Sequence, residues 1–236
     1  MNLNDFVIQE ARPLPVFLLV DTSGSMNGSK IDTVNVALKE MLQVLSNIEG
    51  TKGQIKLSII TFGKIVKVVQ NLENVEVINL DLLQANGNTP MGEAIKTVVE
   101  MIENKEVVSS RAYNPTIVLI SDGIPTDCPR ETLVNTENGN CNYNEWEPIK
   151  MLHNSPRTEK CSKLALGIGD DSDFEMLKSF INNKEIPVIK ANEAATISKF
   201  FKWVTMSVSK RSLSSNPNTC DEVPFKDVFG DVELVF

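Results

Sequence analysis

Short runs of apolar residues alternate along this chain with segments in which apolar positions recur every three or four residues. Uninterrupted apolar runs are typical of strands buried on both faces of a sheet, and the three-to-four spacing is typical of helices with one buried face. The runs predict strands at 14–20, 55–62, 65–70, 116–121, 163–168 and 187–189. The spaced segments predict helices at 31–48, 91–103, 144–153, 173–181 and 193–208.

Strands that alternate with helices predict an α/β fold, in which a doubly wound, mostly parallel sheet carries helices on both faces. Only Gly63 and Lys64 separate the predicted strands at 55–62 and 65–70. A connection this short joins antiparallel neighbours, because parallel strands need a crossover of about a dozen residues. We therefore expect 65–70 to be one antiparallel edge strand on an otherwise parallel, Rossmann-like sheet.

A chain of 236 residues is long enough to bury a full core and still form a single soluble domain. We expect that domain to cover residues 12–208, after a lead-in at 1–11. Residues 128–160 are interpreted as an insertion, irregular apart from its short helix. Ser and Asn are frequent at 209–218, which we interpret as a linker within a C-terminal linker and tail at 209–236.

The formal net charge of -8 argues against nucleic acid or an anionic membrane as the main partner. No apolar run reaches the roughly 18 residues that a membrane-spanning helix needs. The first six residues contain an acid and lack the basic region that opens a secretory signal. These features together predict a cytoplasmic protein.

Polar residues follow two of the predicted strands and also stand in a loop between them. Asp21-Thr22-Ser23-Gly24-Ser25 follows 14–20, Asp122 follows 116–121, and Thr89 lies between the two. Loops that leave the carboxyl ends of strands in an open α/β sheet gather along one edge, so these side chains are expected to converge. Two carboxylates and three hydroxyls form an all-oxygen set suited to Mg²⁺ or Mn²⁺; they belong to Asp21, Ser23, Ser25, Thr89 and Asp122.

Each segment also has an ordinary structural interpretation. Thr89 and Pro90 are typical of a helix start, with Thr as the N-cap and Pro at the first helical position. Asp122-Gly123 is a common turn dipeptide, and 21–25 alone fits a strand-to-helix turn. Asp127 is either a carboxylate that supports the site or a turn residue, and we favour the turn. The order of the three segments, together with the strands that precede two of them, favours the metal site.

The pattern D-x-S-x-S, a later Thr and a later Asp resembles the metal-ion-dependent adhesion site (MIDAS) of von Willebrand factor A domains, and the resemblance covers residues 12–208. It implies that Ser23, Ser25 and Thr89 contact the cation through their hydroxyls, while Asp21 and Asp122 hold its waters and balance its charge. Mg²⁺ keeps several waters, which agrees with that division. The resemblance also implies one open position that a partner protein's carboxylate fills, so the expected function is non-enzymatic protein binding.

Three strings are similar to the TerY-like bacterial branch of these domains: Arg12–Val16, Ala165–Asp170 and Phe200–Val204. That branch is associated with tellurite-resistance and metal-stress gene clusters. The resemblance implies a cytosolic scaffold that works beside a serine/threonine kinase and a PP2C-type phosphatase. The insertion at 128–160 and the tail after Arg211 depart from the family pattern.

The four cysteines form no C-x-x-C pair, the strongest zinc and redox signature. Cys128, Cys141, Cys161 and the only histidine, His153, all fall within or just after the insertion. A Cys₃His zinc site and a Cys128–Cys141 disulfide are alternatives, but the spacings fit no standard zinc module, and a cytosolic chain keeps its thiols reduced. We therefore expect unconnected thiols.

Enzyme signatures are incomplete in this chain. A phosphatase of the haloacid dehalogenase type needs a second Asp where Ser23 stands, and a Ser-His-Asp hydrolase has only His153 as its base, without a G-x-S-x-G turn. No phosphate-binding glycine loop is present. A non-enzymatic scaffold is therefore predicted. The alternatives are a metal-handling protein that binds soft ions at thiols and, less favoured, a metal-dependent phosphatase-like enzyme.

The last residues, 221–236, alternate acids with Val, Leu and Phe. The ordinary interpretation is an additional edge strand or a loose end, since termini are often poorly tied down. A second hypothesis is that Asp227, Asp231 or Glu233 supplies a carboxylate to the metal of a neighbouring chain, which would produce head-to-tail self-association.

Overall fold

The protein is an α/β domain built on one seven-stranded sheet, in a computed structural model that describes residues 11–129, 142–220, 222–230 and 234–235. The strands are β1 (Arg12–Asp21), β2 (Gly53–Phe62), β3 (Val66–Asn74), β4 (Thr116–Ser121), β5 (Ser162–Ile168), β6 (Val188–Ala191) and β7 (Leu234–Val235). Their order across the sheet is β3-β2-β1-β4-β5-β6-β7. The β1–β2, β1–β4, β4–β5 and β5–β6 pairs are parallel, whereas β3 and β7 are antiparallel at the two edges. The predicted doubly wound, mostly parallel sheet is confirmed, as is the antiparallel hairpin; β7 is an additional antiparallel edge strand.

Helices cover both faces of the sheet. They are α1 (Ser29–Ser46), α2 (Met91–Glu103), α3 (Glu147–Asn154), α4 (Phe174–Ile181), α5 (Ala194–Leu213) and the short α6 (Lys226–Phe229). Alternate side chains of β1 enter different cores: Leu18 packs in the layer with α1 and α5, and Leu19 packs in the layer with α2, α3 and α4. Residues 14–20 of β1 are buried on both faces of the sheet, which is why this stretch is continuously apolar. β1 is also an interior strand, so its carboxyl end lies near the centre of the sheet edge.

The second half of the predicted insertion, residues 142–160, contains the predicted short helix at Glu147–Asn154, and several of its side chains lie in the core. Tyr143, Trp146, Ile149 and Leu152 are all buried in the layer that contains α2. The indole of Trp146 lies so close to Gly92 in α2 that any Cβ at this glycine would overlap it. Residues 130–141, with Cys141 among them, lie outside the described residues.

The predicted linker at 209–218 was wrong over its first half, because α5 continues to Leu213. Arg211 is buried there, and its guanidinium donates to Oγ1 of Thr116 and to the carbonyls of Asn114 and Pro217. Two of these acceptors, Thr116 and Asn114, lie more than 90 positions away in the sequence, so the local pattern of polar residues gave no sign of them. Within the described residues, no helix is long and apolar enough to cross a membrane.

The described part of the tail packs on its own domain. The indole Nε1 of Trp203 in α5 donates to the carbonyl of Val223 at 2.7 Å, and the rings of Trp203 and Phe229 meet edge to face with centroids 5.9 Å apart. Phe229 is 2% exposed and belongs to the core between α5 and the sheet. Residues 222–230 are therefore packed on the fold, and β7 is the additional edge strand that one interpretation of the tail predicted. Asp231 and Glu233 lie outside the described residues, and the hypothesis that the tail supplies a carboxylate stays a prediction.

Candidate metal centre

The carboxyl ends of β1 and β4 lie side by side, which brings two carboxylates together. Val20 pairs with Ile120, so Asp21 ends its strand beside Ser121, and Asp122 follows directly. The hydroxyl of Ser121 donates to Oδ2 of Asp21 at 2.5 Å. Asp21 and Asp122 are 0% and 1% exposed. The parallel pairing of two central strands therefore places two buried acids at one point on the sheet edge.

Two serines connect these acids. The backbone N–H of Ser23 donates to Oδ1 of Asp21 at 2.8 Å, and residues Gly24–Met26 form one turn of 3₁₀ helix. The hydroxyls of Ser23 and Ser25 are 3.0 Å apart. The hydroxyl of Ser25 then donates to Oδ1 of Asp122 at 2.7 Å, across 97 positions of sequence. The turn that follows β1 thus forms a continuous hydrogen-bonded path from one carboxylate to the other.

The loop before α2 brings Thr89 to the same cluster. The carbonyl of Thr22 accepts from the N–H of Asn86 at 2.6 Å, and the carbonyl of Gly87 accepts from Gly24 at 2.9 Å. The position that a Cβ of Gly123 would occupy lies 3.6 Å from Oγ1 of Thr89 and 4.0 Å from the hydroxyl of Ser25. Both hydroxyls therefore face Gly123, directly after Asp122. All five residues that the sequence suggested as metal ligands are at one site.

The cap of α2 differs from the ordinary interpretation of Thr89 and Pro90. Pro90, and not Thr89, occupies the N-cap position, and no side chain of the N-cap residue bonds to the helix. The free N–H groups of the first turn are bound instead by Asp127, whose two carboxylate oxygens accept from Gly92 at 3.1 Å and Glu93 at 2.9 Å. The helix dipole favours a carboxylate there. Asp127 is therefore a helix cap, a role that neither of our two interpretations included.

Thr89 is held by this same loop through reciprocal bonds with Thr126. The N–H of Thr89 donates to Oγ1 of Thr126 at 3.1 Å, and the N–H of Thr126 donates to the carbonyl of Thr89 at 2.9 Å. These bonds engage backbone groups of Thr89 and leave its hydroxyl directed towards the cluster. The loop after β4 thus supplies Asp122 and also orients the threonine from the loop before α2.

Sequence reasoning missed two contributors to the site, Ser121 and Lys30. The ammonium of Lys30, in the first turn of α1, forms an ion pair with Oδ2 of Asp122. A signal for Lys30 existed, because a helix that begins four residues after Ser25 has its first turn at the same sheet edge. Ser121 had a signal as well, since it is the last residue of the strand that precedes Asp122.

The donors fit a small divalent cation with a preference for oxygen. Burial raises the pKa of Asp21 to about 6, against hydrogen bonds from Ser121 and Ser23 that lower it, and the charge of Asp122 raises it further. A buried acid that is this costly to ionise gains from a nearby cation. No group of three or more His, Cys, Asp or Glu side chains that could hold a metal occurs among the described residues. The cluster at the sheet edge combines two carboxylates with three hydroxyls, so it belongs to a different kind of site.

The thiols of the insertion do not form a zinc site in the part of the chain that the structure describes. The ring Nε2 of His153 is 2.8 Å from the carbonyl oxygen of Ser179. The buried thiol of Cys161 lies 3.5 Å from the carbonyl of Arg157, and burial raises its pKa to about 12. In the metal-free chain this burial favours the neutral thiol over the thiolate that binds metals. The parts of the zinc and disulfide alternatives that need Cys141 lie outside the described residues.

A doubly wound α/β domain with an oxygen-rich cluster at the carboxyl edge of its central strands defines a class of ligand-binding domains. The sequence model of the von Willebrand factor type A domain family matches residues 16–203, so the chain belongs to this family. Such domains are commonly metal-dependent protein-interaction scaffolds. None of the curated proteins compared with the chain is a significant match.

Solved structures share the fold at low sequence identity. The pilus adhesin SpaC from Lactobacillus rhamnosus GG has a TM-score of 0.66 at 17% identity, over 86% of this chain and 31% of its own. The ArnB paralog VWA2 from Sulfolobus acidocaldarius has a TM-score of 0.56 at 19% identity, over 83% of this chain and 45% of its own. Proximal thread matrix protein 1 from the mussel byssus, in a form with a zinc occupied MIDAS motif, has a TM-score of 0.60 at 16% identity, over 84% of this chain and 48% of its own. This chain thus spans less than half the length of each.

Proposed function

We propose that this protein is a non-enzymatic scaffold that binds a partner protein through Mg²⁺ or Mn²⁺ held at the carboxyl edge of the sheet. Ser23, Ser25 and Thr89 would offer hydroxyl oxygens to the cation, and Asp21 and Asp122 would hold its waters and balance its charge. The bound cation would keep one coordination position open for the carboxylate of an Asp or Glu of the partner. The observation that carries this proposal is the hydrogen-bonded path from Asp21 through Ser23 and Ser25 to Asp122.

The chemistry of the donors supports docking over hydrolysis. Hydrolytic metal sites need a general base or a nucleophile within hydrogen-bonding reach of the substrate. The two carboxylates here are buried and already accept hydrogen bonds from Ser121 and Ser25. The only histidine, His153, lies in a small polar pocket with Ser162 and Lys163, at the start of β5 and at the other edge of the sheet.

The choice of metal follows from the same donors. Hydroxyl and carboxylate oxygens are hard ligands that suit Mg²⁺ and Mn²⁺, whereas zinc sites in proteins usually include His or Cys. A related fold with a zinc occupied MIDAS motif shows that zinc should be measured alongside them. We propose Mg²⁺ or Mn²⁺ as the resident cation.

For the cellular setting, we propose a cytoplasmic assembly that responds to metal or tellurite stress in bacteria. Its other members would be a serine/threonine kinase and a PP2C-type phosphatase, one of which offers the acidic residue. The support is the similarity of Arg12–Val16, Ala165–Asp170 and Phe200–Val204 to TerY-like domains. The first two strings contribute to central strands of the sheet, and the third lies in α5.

Isothermal titration of the metal-free protein with Mn²⁺, Mg²⁺ and Zn²⁺ tests the site. We expect one Mn²⁺ or Mg²⁺ per chain, with binding lost in Ser23→Ala and Asp122→Ala while circular dichroism remains unchanged. Ser46→Ala, at the last residue of α1, is the matched control and should bind as the natural chain does. Equal Mn²⁺ affinity in all three variants would show that these residues hold no metal.

Capture of partners from a bacterial lysate then tests docking. A partner that binds the natural chain with Mg²⁺, and is lost both with EDTA and with Ser23→Ala, supports the proposal. Capture that is indifferent to EDTA and to Ser23→Ala contradicts it.

A further inference from the structure

Lys30 lies at the candidate metal centre without belonging to the set of five ligands. It is the second residue of α1, which begins after Gly28, a glycine with a φ of 81°. Its ammonium forms an ion pair with Asp122 and lies 3.9 Å from the position that a Cβ of Gly169 would occupy. The side chain is 34% exposed. The ammonium thus sits between the loops after β4 and β5, close to solvent.

The two oxygens of Asp122 have different neighbours. Oδ1 accepts from the hydroxyl of Ser25, on the side where the hydroxyls converge, and Oδ2 binds the ammonium of Lys30. A cation held among the hydroxyls would therefore approach Oδ1 of Asp122, whereas the ammonium of Lys30 binds Oδ2. Because the two do not compete for one atom, Lys30 can stay paired while the site is loaded.

The charges of this cluster give Lys30 a consequence for docking. Asp21, Asp122 and Lys30 sum to one negative charge when all are ionised, and a divalent cation changes that sum to one positive charge. A partner carboxylate then brings the sum to zero. Without Lys30, the loaded cluster would already be neutral, and an incoming carboxylate would leave it negative. Close charges interact strongly in a partly buried site, so one ammonium changes the preference of the site for an anion.

We propose that Lys30 couples metal binding to carboxylate binding, by weakening the affinity of the centre for a divalent cation alone and increasing the factor by which an acidic group tightens that affinity. Lys30 is thus a specificity-determining residue that makes the loaded centre selective for an acidic partner group. The inference rests on the proposed function of the site. It goes further by assigning the coupling to a residue outside the five metal ligands.

Titrations of Mn²⁺ into the metal-free full-length chain test the coupling, once in sodium chloride and once in sodium acetate of equal ionic strength. Acetate serves as the probe for a partner carboxylate. The variants are Lys30→Met, Lys30→Gln, Lys30→Arg and the control Lys39→Met, which removes an exposed lysine from the same helix. Circular dichroism and thermal melting establish that each variant is folded.

For the natural chain and Lys39→Met, we expect acetate to tighten Mn²⁺ binding several-fold. Lys30→Met and Lys30→Gln should bind Mn²⁺ on the order of tenfold more tightly in chloride, because a like charge has been removed, and acetate should have little further effect. Lys30→Arg should behave as the natural chain does. If Lys30 only held Asp122 in position, replacing it would weaken Mn²⁺ binding. The ratio of the Kd in chloride to the Kd in acetate would then equal that of the natural chain.

The outcomes separate this inference from the proposed function. If the natural chain binds Mn²⁺ and loses it with Ser23→Ala, but acetate has the same effect on the natural chain and on Lys30→Met, the coupling role of Lys30 is wrong and the metal site stands. A natural chain whose Mn²⁺ affinity does not respond to acetate also overturns the coupling. If no variant binds Mn²⁺, the proposed function and this inference fail together.

Discussion

Arg211 and Glu222 bring buried charges of opposite sign to the amino edge of the sheet, whereas the buried charges of Asp21 and Asp122 at the carboxyl edge have the same sign. At the amino edge, the guanidinium of Arg211 donates to three acceptors, and Glu222, which accepts from Ser162, supplies an opposite charge. At the carboxyl edge, the ammonium of Lys30 pairs with Asp122, and among the described residues Asp21 has hydrogen bonds but no ion pair. Because buried charge is costly unless it is compensated, a surplus is retained where a ligand can offset it. The comparison identifies the amino edge as structural and the carboxyl edge as the candidate binding site.

The largest expected effect is at the amino edge. Arg211→Met leaves the carbonyls of Asn114 and Pro217 without their donor and Glu222 buried without its opposite charge, so it should lower the free energy of unfolding by about 3–5 kcal/mol. Urea denaturation measures this, with Lys202→Met as an exposed control on the same helix. Mn²⁺ affinity should not change. A loss of stability below about 1 kcal/mol would contradict the structural role of this edge.

The second prediction concerns pH and the carboxyl edge. Burial raises the pKa of Asp21 to about 6 from 3.8, so the metal-free folded state holds a proton more tightly than the unfolded state does. Stability that this proton confers is present below about pH 4 and is lost as pH rises through about 6, by up to about 3 kcal/mol. Asp21→Asn should not show this loss. Urea denaturation of both proteins in EDTA across pH 4 to 7 measures the difference, and parallel curves would refute it.

Metal binding gives the third prediction. Asp21→Asn keeps the size of the side chain but removes a charge that would balance the cation, so Mn²⁺ affinity should fall by about 10- to 100-fold. Metal-free stability at neutral pH should be equal or higher, because a buried charge has been removed. Titration calorimetry and denaturation in EDTA measure the two quantities. A variant that loses both metal affinity and metal-free stability would mean that Asp21 mainly holds the fold.

The smallest expected effect tests whether the tail belongs to the structural edge. Trp203→Phe removes the donor to the carbonyl of Val223 and keeps an aromatic ring against Phe229, so it should cost about 1–2 kcal/mol. Limited proteolysis should then cleave residues 222–230 faster than in the natural chain. Cleavage at an unchanged rate would show that the hydrogen bond does not hold the tail.

Sequence and structure agree best where local pattern and tertiary environment require the same thing. The bounds of α2 (Met91–Glu103) and β4 (Thr116–Ser121) were predicted to the residue, because the apolar pattern of each segment ends abruptly at polar residues. The end of α5 was missed for the opposite reason. Its last turns are polar, yet Arg211 and Ser212 are buried, and Arg211 bonds to Thr116 and Pro217.

The candidate site also combines features that the sequence predicted with features that only the structure revealed. The sequence alone predicted five candidate oxygen donors at one edge of the sheet, since loops that follow neighbouring parallel strands gather there, and the structure places all five residues together. Only the tertiary structure decided that Asp127 caps α2, that Ser121 bonds Asp21 and that Lys30 pairs with Asp122. The physical reason is that the apolar pattern of a strand or helix is encoded by neighbours in the chain. The partner of a single charged or capping group is selected by geometry across the fold, after the sheet and helices have packed.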